Sequence, residues 1–302
     1  MAFNIWRITD GKAGHDSQSI GLCDAIERLK PCKRFDISAL SAFSNYRNLL
    51  LKKFESGKGL PNPDLILGAG HGCHLTMLCA KRARNGKAIV LMKPSLPLSF
   101  FDLCIIPKHD IRVDQKNIIT TKGALNPIQF NEKKLSDSGL ILLGGPSKHY
   151  EWNNESILDQ IIQVVNSNSD IHWTIANSPR TPEAMLDKIT SLSHKDIDVM
   201  PFAKTDSKKI RELIFKANNI WVSADSVSMI YESLSSGAAV GLLEVKQKNK
   251  NRISEAVNNL TKKQQITSFD LWKETNKLTK TDIKFNEADR CASLLLERGL
   301  LD

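Results

Sequence analysis

The chain has 302 residues, 41% of them hydrophobic and 25% charged, which excludes a largely disordered protein and allows two domains or one large α/β domain. Lysine and arginine outnumber acids 42 to 33, a net charge of +9 that favours anionic partners; no arginine-rich arm and no zinc-finger, homeodomain or RNP spacing points to nucleic acid. Six cysteines without paired CxxC spacing, no leader pattern and no run of about 18 apolar residues predict a cytoplasmic protein with reduced thiols.

The basic groups "KHDIR", "KTDSKKIR" and "KQKNKNR" read as solvated surface, and they leave open a peripheral contact with the inner face of the cytoplasmic membrane. Strand-like runs alternate with helical periodicity nearly end to end, the pattern of βα units on a mainly parallel sheet. "FNIWRIT" predicts a strand feeding a helix near Ser17 to Leu29, "CKRFDIS" one near Tyr46 to Glu55, and "DLILGAG" one from His74 to Arg84. "KAIVLMK", "DLCIIP" and "NIITTKG" follow as strands, and the polar stretch Ala124 to Ser138 reads as a linker. The alternation then restarts. "GLILLGG", "DIHWTIANS", "DIDVMPF" and "NIWVSADS" precede helices near Ile157 to Val165, Pro182 to Leu192, Ser207 to Lys216 and Val227 to Ser235, and "AAVGLLEV" is a buried strand. Gln247 to Arg252 reads as an exposed loop, and the amphipathic segment Asp282 to Arg298 has no strand after it. The expected fold is α/β, with two Rossmann-like, doubly wound domains facing a cleft: residues 1–135, braced by 282–302, and residues 136–281.

In open α/β sheets, ligands gather beyond the carboxyl ends of the strands. Three glycine turns fall at such ends: "DGKAGHDS" (Gly11, Gly14), "LGAGHGCH" (Gly68, Gly70, Gly72) and "LLGGPSKHY" (Gly144, Gly145). None carries a dinucleotide fingerprint or a Walker A lysine, and one such turn alone is more often plain chain reversal. Three at strand ends, two of them with histidines, point to a site. His15, His71 and His74 lack the carboxylate or thiolate set of a metal centre apart from Cys73, so no metal is expected. A satisfied histidine near a helix start is the simpler reading of His71 and His74.

In "WVSADSVSMIYESLSSGAAVGLLEV", Ser223, Asp225, Ser226 and Ser228 stand where they can cap a helix whose N–H groups suit a diphosphate. Glu232 stands where a carboxylate could accept from two vicinal ribose hydroxyls, and Gly237 ends the helix. Plain capping by Asp225 and Ser226, and a solvated helix face for Glu232, are the competing readings.

Taken together these motifs resemble the GT-B glycosyltransferases. Within that superfamily, "DGKAGHDSQSIGL", "LGAGHGCH", "GGPSKHY", "NSPRTP" and "VSADSVSMIYESLSSGAAVGLLEV" are similar, over nearly the full length, to the mitochondrial-fission "elongated mitochondria" family, which has many bacterial members. The resemblance implies an acceptor-side first domain and a nucleotide-donor second domain. It implies donor-turn roles for Ser223, Asp225 and Ser226, a ribose-binding role for Glu232, and a first donor-domain turn at Gly144, Gly145 and Ser147. Arg180 is implied to face the phosphates, against the plainer reading of a surface arginine held between Pro179 and Pro182. His15 resembles the histidine of the "GGTGGH" loop in lipid-linked sugar transferases, a base for the acceptor hydroxyl. Asp10 and Asp16 are rival bases, and Gly11, Gly14, Gly70 and His71 lie on the acceptor side; Asp16 or Ser17 is also read as the first helix's cap. The implied activity is sugar transfer from a nucleotide-sugar donor to a glycolipid or surface-polysaccharide acceptor, as in lipopolysaccharide or capsule biosynthesis, with no metal and no cofactor beyond the nucleotide sugar. A non-enzymatic membrane-associated adaptor, as in the family's plant members, and a nucleotide-sugar epimerase are the alternatives.

Overall fold

Apolar strands buried on both faces build two six-stranded parallel sheets in the computed structural model, which describes residues 2–111, 115–192, 197–249 and 252–302. Arg112 of "KHDIR", Asp196 of "DIDVMPF", and Lys250 and Asn251 of the expected loop lie outside the described residues. The chain forms two compact units, Met1–Pro127 with Asn286–Asp302, and Ile128–Phe285.

In the first unit the order along the chain is β1 (Phe3–Thr9), α1 (Ala13–Leu29), β2 (Cys32–Ser38), α2 (Ala42–Leu51), β3 (Leu65–Ala69), α3 (His74–Arg84), β4 (Lys87–Leu91), β5 (Leu103–Pro107) and β6 (Ile118–Thr121). The strands lie in the order β2-β1-β3-β4-β5-β6, all parallel. Alternate residues feed two cores, as the pleat requires. Ile5, Leu65, Leu67 and Ile89 pack with Leu22 and Ile26 of α1, and Trp6, Ile8, Ile66 and Val90 pack with Met77 of α3.

Two helices depart from expectation. Helix α1 starts at Ala13, four residues before Ser17, after the left-handed Gly11 (φ +73°) and the extended Lys12, whose side chain makes no capping bond. Neither Asp16 nor Ser17 is therefore the cap. Asp16 instead reaches back from the first helical turn to Arg7 Nη1 at 2.9 Å and to Thr9, and Arg7 also makes a two-pronged pair with Asp36 at 2.8 and 2.6 Å. Helix α2 runs Ala42–Leu51 rather than 46–55, because Ser41 Oγ accepts the Ser44 N–H at 3.3 Å and starts it early.

The second unit contains β7 (Leu135–Leu143), β8 (Tyr150–Glu151), α4 (Asn154–Asn166), β9 (His172–Asn177), α5 (Glu183–Ser191), β10 (Ile197–Met200), α6 (Ser207–Lys216), β11 (Ala217–Ser223), α7 (Val227–Ser235), β12 (Ala239–Leu243), β13 (Lys246–Gln247), α8 (Arg252–Lys262), β14 (Thr267–Ser268) and α9 (Phe269–Thr275). Its parallel sheet is ordered β10-β9-β7-β11-β12-β14. Counted along the chain among this sheet's own six strands, this is 3-2-1-4-5-6, the Rossmann order. The antiparallel pair β8/β13, and α8, β14 and α9, were not foreseen.

The units divide between Pro127 and Ile128, earlier than residue 135. Residues expected in the linker are held by the second unit: Asn131 N–H donates to Ser236 O at 3.1 Å, and Lys134 Nζ donates to Phe215 O at 2.9 Å. The last helix, α10 (Glu287–Glu297), starts five residues after Asp282 and belongs to the first unit. There Cys291, Ala292 and Leu295 join the core of α1, and Arg28 pairs with Asp289.

Candidate functional site

The first sheet reverses its winding between β1 and β3, so the turns after these two strands line one crevice at the carboxyl edge. From the first turn of α1, His15 brings Nδ1 to 3.0 Å from both carboxylate oxygens of Asp10. The Lys12 N–H donates to Asp10 Oδ1 at 3.3 Å, and its Nζ lies 3.5 Å from Oδ2. The ring rests on Gly70 after β3, where φ is +79° and any Cβ would overlap the imidazole. Gly70 thus answers both to backbone conformation and to the histidine. Gly11 supplies only a positive φ, Gly14 lies exposed inside α1, and His71 is exposed at the start of a short 3-10 turn.

Burial pushes the Asp10 carboxyl up, but the hydrogen bond from His15, the Lys12 N–H and both neighbours' charges outweigh it, and its pKa falls below the usual carboxylate value. A carboxylate facing Nδ1 fixes the proton there. His15 Nε2 has no hydrogen-bond partner among the described residues, which is the arrangement of an oriented general base. Asp10 is therefore the histidine's partner and not its rival. Asp16 is no rival either, since its carboxylate is committed to Arg7.

His74 is buried, edge-on to Phe101 at 5.5 Å, with Nδ1 3.3 Å from Ser95 Oγ. Its Nε2 is buried without a partner among the described residues, so it is not the fully satisfied histidine expected. Burial first, then the neighbouring His71, lowers its pKa from 6.5 to about 4. Between those values the unfolded chain binds a proton that the folded chain refuses, so stability rises with pH across the window and is lost on acidification. The loss is expected to reach at most about 3 kcal/mol. Chemical denaturation of His74→Gln at a series of pH values from 4 to 7 should show a flatter profile than the parent chain, by about that amount.

The second sheet reverses between β7 and β11, and the turns Gly144–Ser147 and Ser223–Ser226 both leave there. Ser223 Oγ accepts the Gly144 N–H at 2.7 Å, and Asp225 Oδ2 accepts the Gly145 N–H at 2.9 Å. Arg180 places Nη2 2.8 Å from the same Asp225 oxygen and donates Nη1 to Gly145 O at 2.8 Å. A Cβ on Gly144 would overlap the Asp225 carboxylate, and one on Gly145 the backbone of Arg180. The glycines permit this close interlock.

Asp225, with 0% of its side chain exposed, is a brace between two turns, not a cap of α7 or a free ligand contact. Ser226 occupies the cap position without a side-chain capping bond, so the capping expected of Ser223, Asp225 and Ser226 is not found. The helix terminus keeps its positive end without a side-chain cap. Arg180 is 41% exposed, held on one edge by Asp225. Ser147 Oγ accepts the N–H groups of His149 and Tyr150, each at 3.2 Å, and closes its own turn. Glu232 is half-buried in the second turn of α7.

Beside this turn a cavity of about 590 Å³ opens at the carboxyl ends of β11 and β12, lined by Ala224, Leu242, Glu244, Asn258 and Thr261. Gln160 brackets the Glu244 backbone, accepting its N–H at 2.7 Å and donating to its carbonyl at 3.0 Å. Burial, followed by Asp270, pushes the Glu244 carboxyl above its usual value. Sequence reasoning missed Glu244, although it ends a buried strand in the same way as the turns that were singled out.

Residues 13–299 match the family model described as Mitochondrial fission ELM1. RP120, an uncharacterized protein of Rickettsia prowazekii, is 26% identical over 291 residues, covering 78% of this chain and 81% of that protein. Among solved structures, a Listeria monocytogenes protein named for UDP-N-acetylglucosamine 2-epimerase activity superposes with a TM-score of 0.61 at 12% identity, covering 100% of this chain and 98% of the other. The UDP-GlcNAc 2-epimerase of Neisseria meningitidis bound to UDP-GlcNAc gives 0.55 at 11% identity, and the kitacinnamycin glycotransferase 0.54 at 12%, each over 100% of both chains. At these identities the likeness establishes the fold, that of GT-B glycosyltransferases and epimerases.

Proposed function

For a chain that belongs to the mitochondrial fission ELM1 family, we propose a GT-B-type glycosyltransferase activity, with the nucleotide sugar held by the second unit and the acceptor hydroxyl by the first. The observation that carries this reading is the Asp10–His15 pair with its open Nε2. In a single displacement, the acceptor hydroxyl gives its proton to His15 Nε2 as its oxygen attacks the anomeric carbon. The bond from that carbon to the diphosphate oxygen breaks, so the anomeric centre inverts. The leaving diphosphate is received by the N–H groups at the start of α7 and by the exposed edge of Arg180. Glu232 accepts from the ribose hydroxyls, and the cavity at Glu244 takes the base.

The donor is a nucleotide sugar, and UDP-sugars are the first to test because the Neisseria meningitidis relative carries UDP-GlcNAc. The acceptor is a glycolipid or surface polysaccharide, whose anionic groups suit the +9 net charge. No metal or cofactor beyond the nucleotide sugar enters the scheme.

Calorimetric titration with UDP, other nucleoside diphosphates and their sugars is expected to give saturable binding for one base. Glu232→Ala should weaken that binding about tenfold, the loss of one or two hydrogen bonds to a carboxylate. Absence of saturable binding, or full affinity in the variant, overturns the reading. A product whose altered sugar is still joined to the nucleotide by NMR would assign epimerisation in its place.

A further inference from the structure

Helix α2 is inside out. It buries Asn45 and Asn48 and leaves Phe43, Tyr46 and Leu50 at 77%, 67% and 65% exposure, with Leu51 beside them. The inversion is fixed by hydrogen bonds: Asn45 Nδ2 donates to Leu40 O at 3.0 Å, and Thr76 Oγ1 of α3 donates to Asn45 Oδ1 at 3.1 Å. Cys79 Sγ of α3 lies 3.2 Å from Asn45 O. Turning the helix to hide its apolar side chains would break all three.

Positions 43, 46, 47 and 50 form one stripe along the helix. Arg47 sits within it, and Lys52 and Lys53 follow its end. None of these three cations has an ion-pair partner among the described residues, and no acid occurs between Ser38 and Phe54. A ridge of aromatic and leucine side chains, with three unpaired cations and no acid in residues 39–53, matches the chemistry of an anionic lipid–water boundary.

We propose that α2 docks the protein on an anionic lipid bilayer. Phe43, Tyr46, Leu50 and Leu51 enter the boundary between headgroups and acyl chains, and Arg47, Lys52 and Lys53 meet the phosphates. This goes beyond the transferase reading and does not depend on it. A second copy of this helix offers the stripe no charge complement, because residues 39–53 contain no acid to answer Arg47, Lys52 and Lys53. A ten-residue helix, about 15 Å long, also offers far less than the roughly 800 Å² per partner of a stable interface.

The test is co-sedimentation of the full chain with vesicles of phosphatidylcholine alone, or with about one-third phosphatidylglycerol. Binding is expected only to the anionic vesicles. The triple variant Phe43→Ser, Tyr46→Ser, Leu50→Ser should lower it at least about tenfold, as should Arg47→Glu, Lys52→Glu, Lys53→Glu. The control pair Lys208→Glu, Lys216→Glu should change it by less than about threefold. All these positions are exposed, and unchanged circular dichroism confirms the fold. The proposal is overturned by no binding to either vesicle, by variants that bind like the parent, or by a parent dimer that the apolar variant dissociates. A stable complex with an acidic protein, formed where vesicles are ignored, would likewise replace the bilayer as the occupant.

Discussion

Replacing Asp225 with alanine is expected to destabilise the second unit by about 2 to 4 kcal/mol. Its carboxylate is wholly buried and accepts from both the Gly145 N–H and Arg180. Removing it leaves a turn N–H without an acceptor and a guanidinium without its counter-charge. Because Arg180 is 41% exposed, water replaces part of what it loses, which holds the figure below that of a fully buried pair. Asp225→Asn keeps the shape and one acceptor, so it should lose less than half as much. Hydrogen exchange resolved to β7 and β11 is the suitable measurement, since two units need not unfold in one step. Protection unchanged in those strands would show that the glycine turns hold without the brace. Nucleotide affinity should fall alongside, because the two turns leave the same switch point.

His15→Ala is expected to lower kcat for sugar transfer by about 10² to 10⁴-fold, the usual contribution of a positioned general base. Asp10→Asn should cost a similar factor, since an amide neither fixes the tautomer nor stabilises the imidazolium formed during proton transfer. Nucleotide binding should stay within about twofold of the parent in both variants, because the nucleotide contacts proposed above lie in the second unit. That split between kcat and affinity separates loss of a base from loss of the fold. Unchanged turnover in His15→Ala would remove the imidazole from the mechanism. It would shift attention to the adaptor reading, in which neither Asp10 nor His15 matters to partner capture.

Much of this architecture is legible in the residues. Helices α3, α6 and α7 fall where apolar periodicity places them. The parallel strands show as near-continuous apolar runs, as strands covered on both faces must. The failures share a cause in contacts that local pattern cannot reveal. Asp225 reads as a helix cap from its neighbours, yet its acceptor work is for Gly145, 80 positions away. Asp16 reads as a cap for the same reason, and its carboxylate serves Arg7 on the preceding strand. Helix α2 starts four residues before the position its sequence pattern predicts, because its apolar side faces outward and its asparagines face in. At the candidate site the glycine turn marks His15 but not its pairing with Asp10, because in sequence a carboxylate five positions earlier reads equally as a competing base.

The return of α10 to the first unit has a consequence for synthesis. Residues 286–302 complete the core over α1, and they leave the ribosome only after the whole of Ile128–Phe285. The second unit can thus mature first while the first waits, its α1 face carrying Leu22 and Ile26 uncovered. A nascent chain arrested before Asn286 should therefore engage holdase chaperones through the uncovered face of α1, and release them when residues 286–302 emerge.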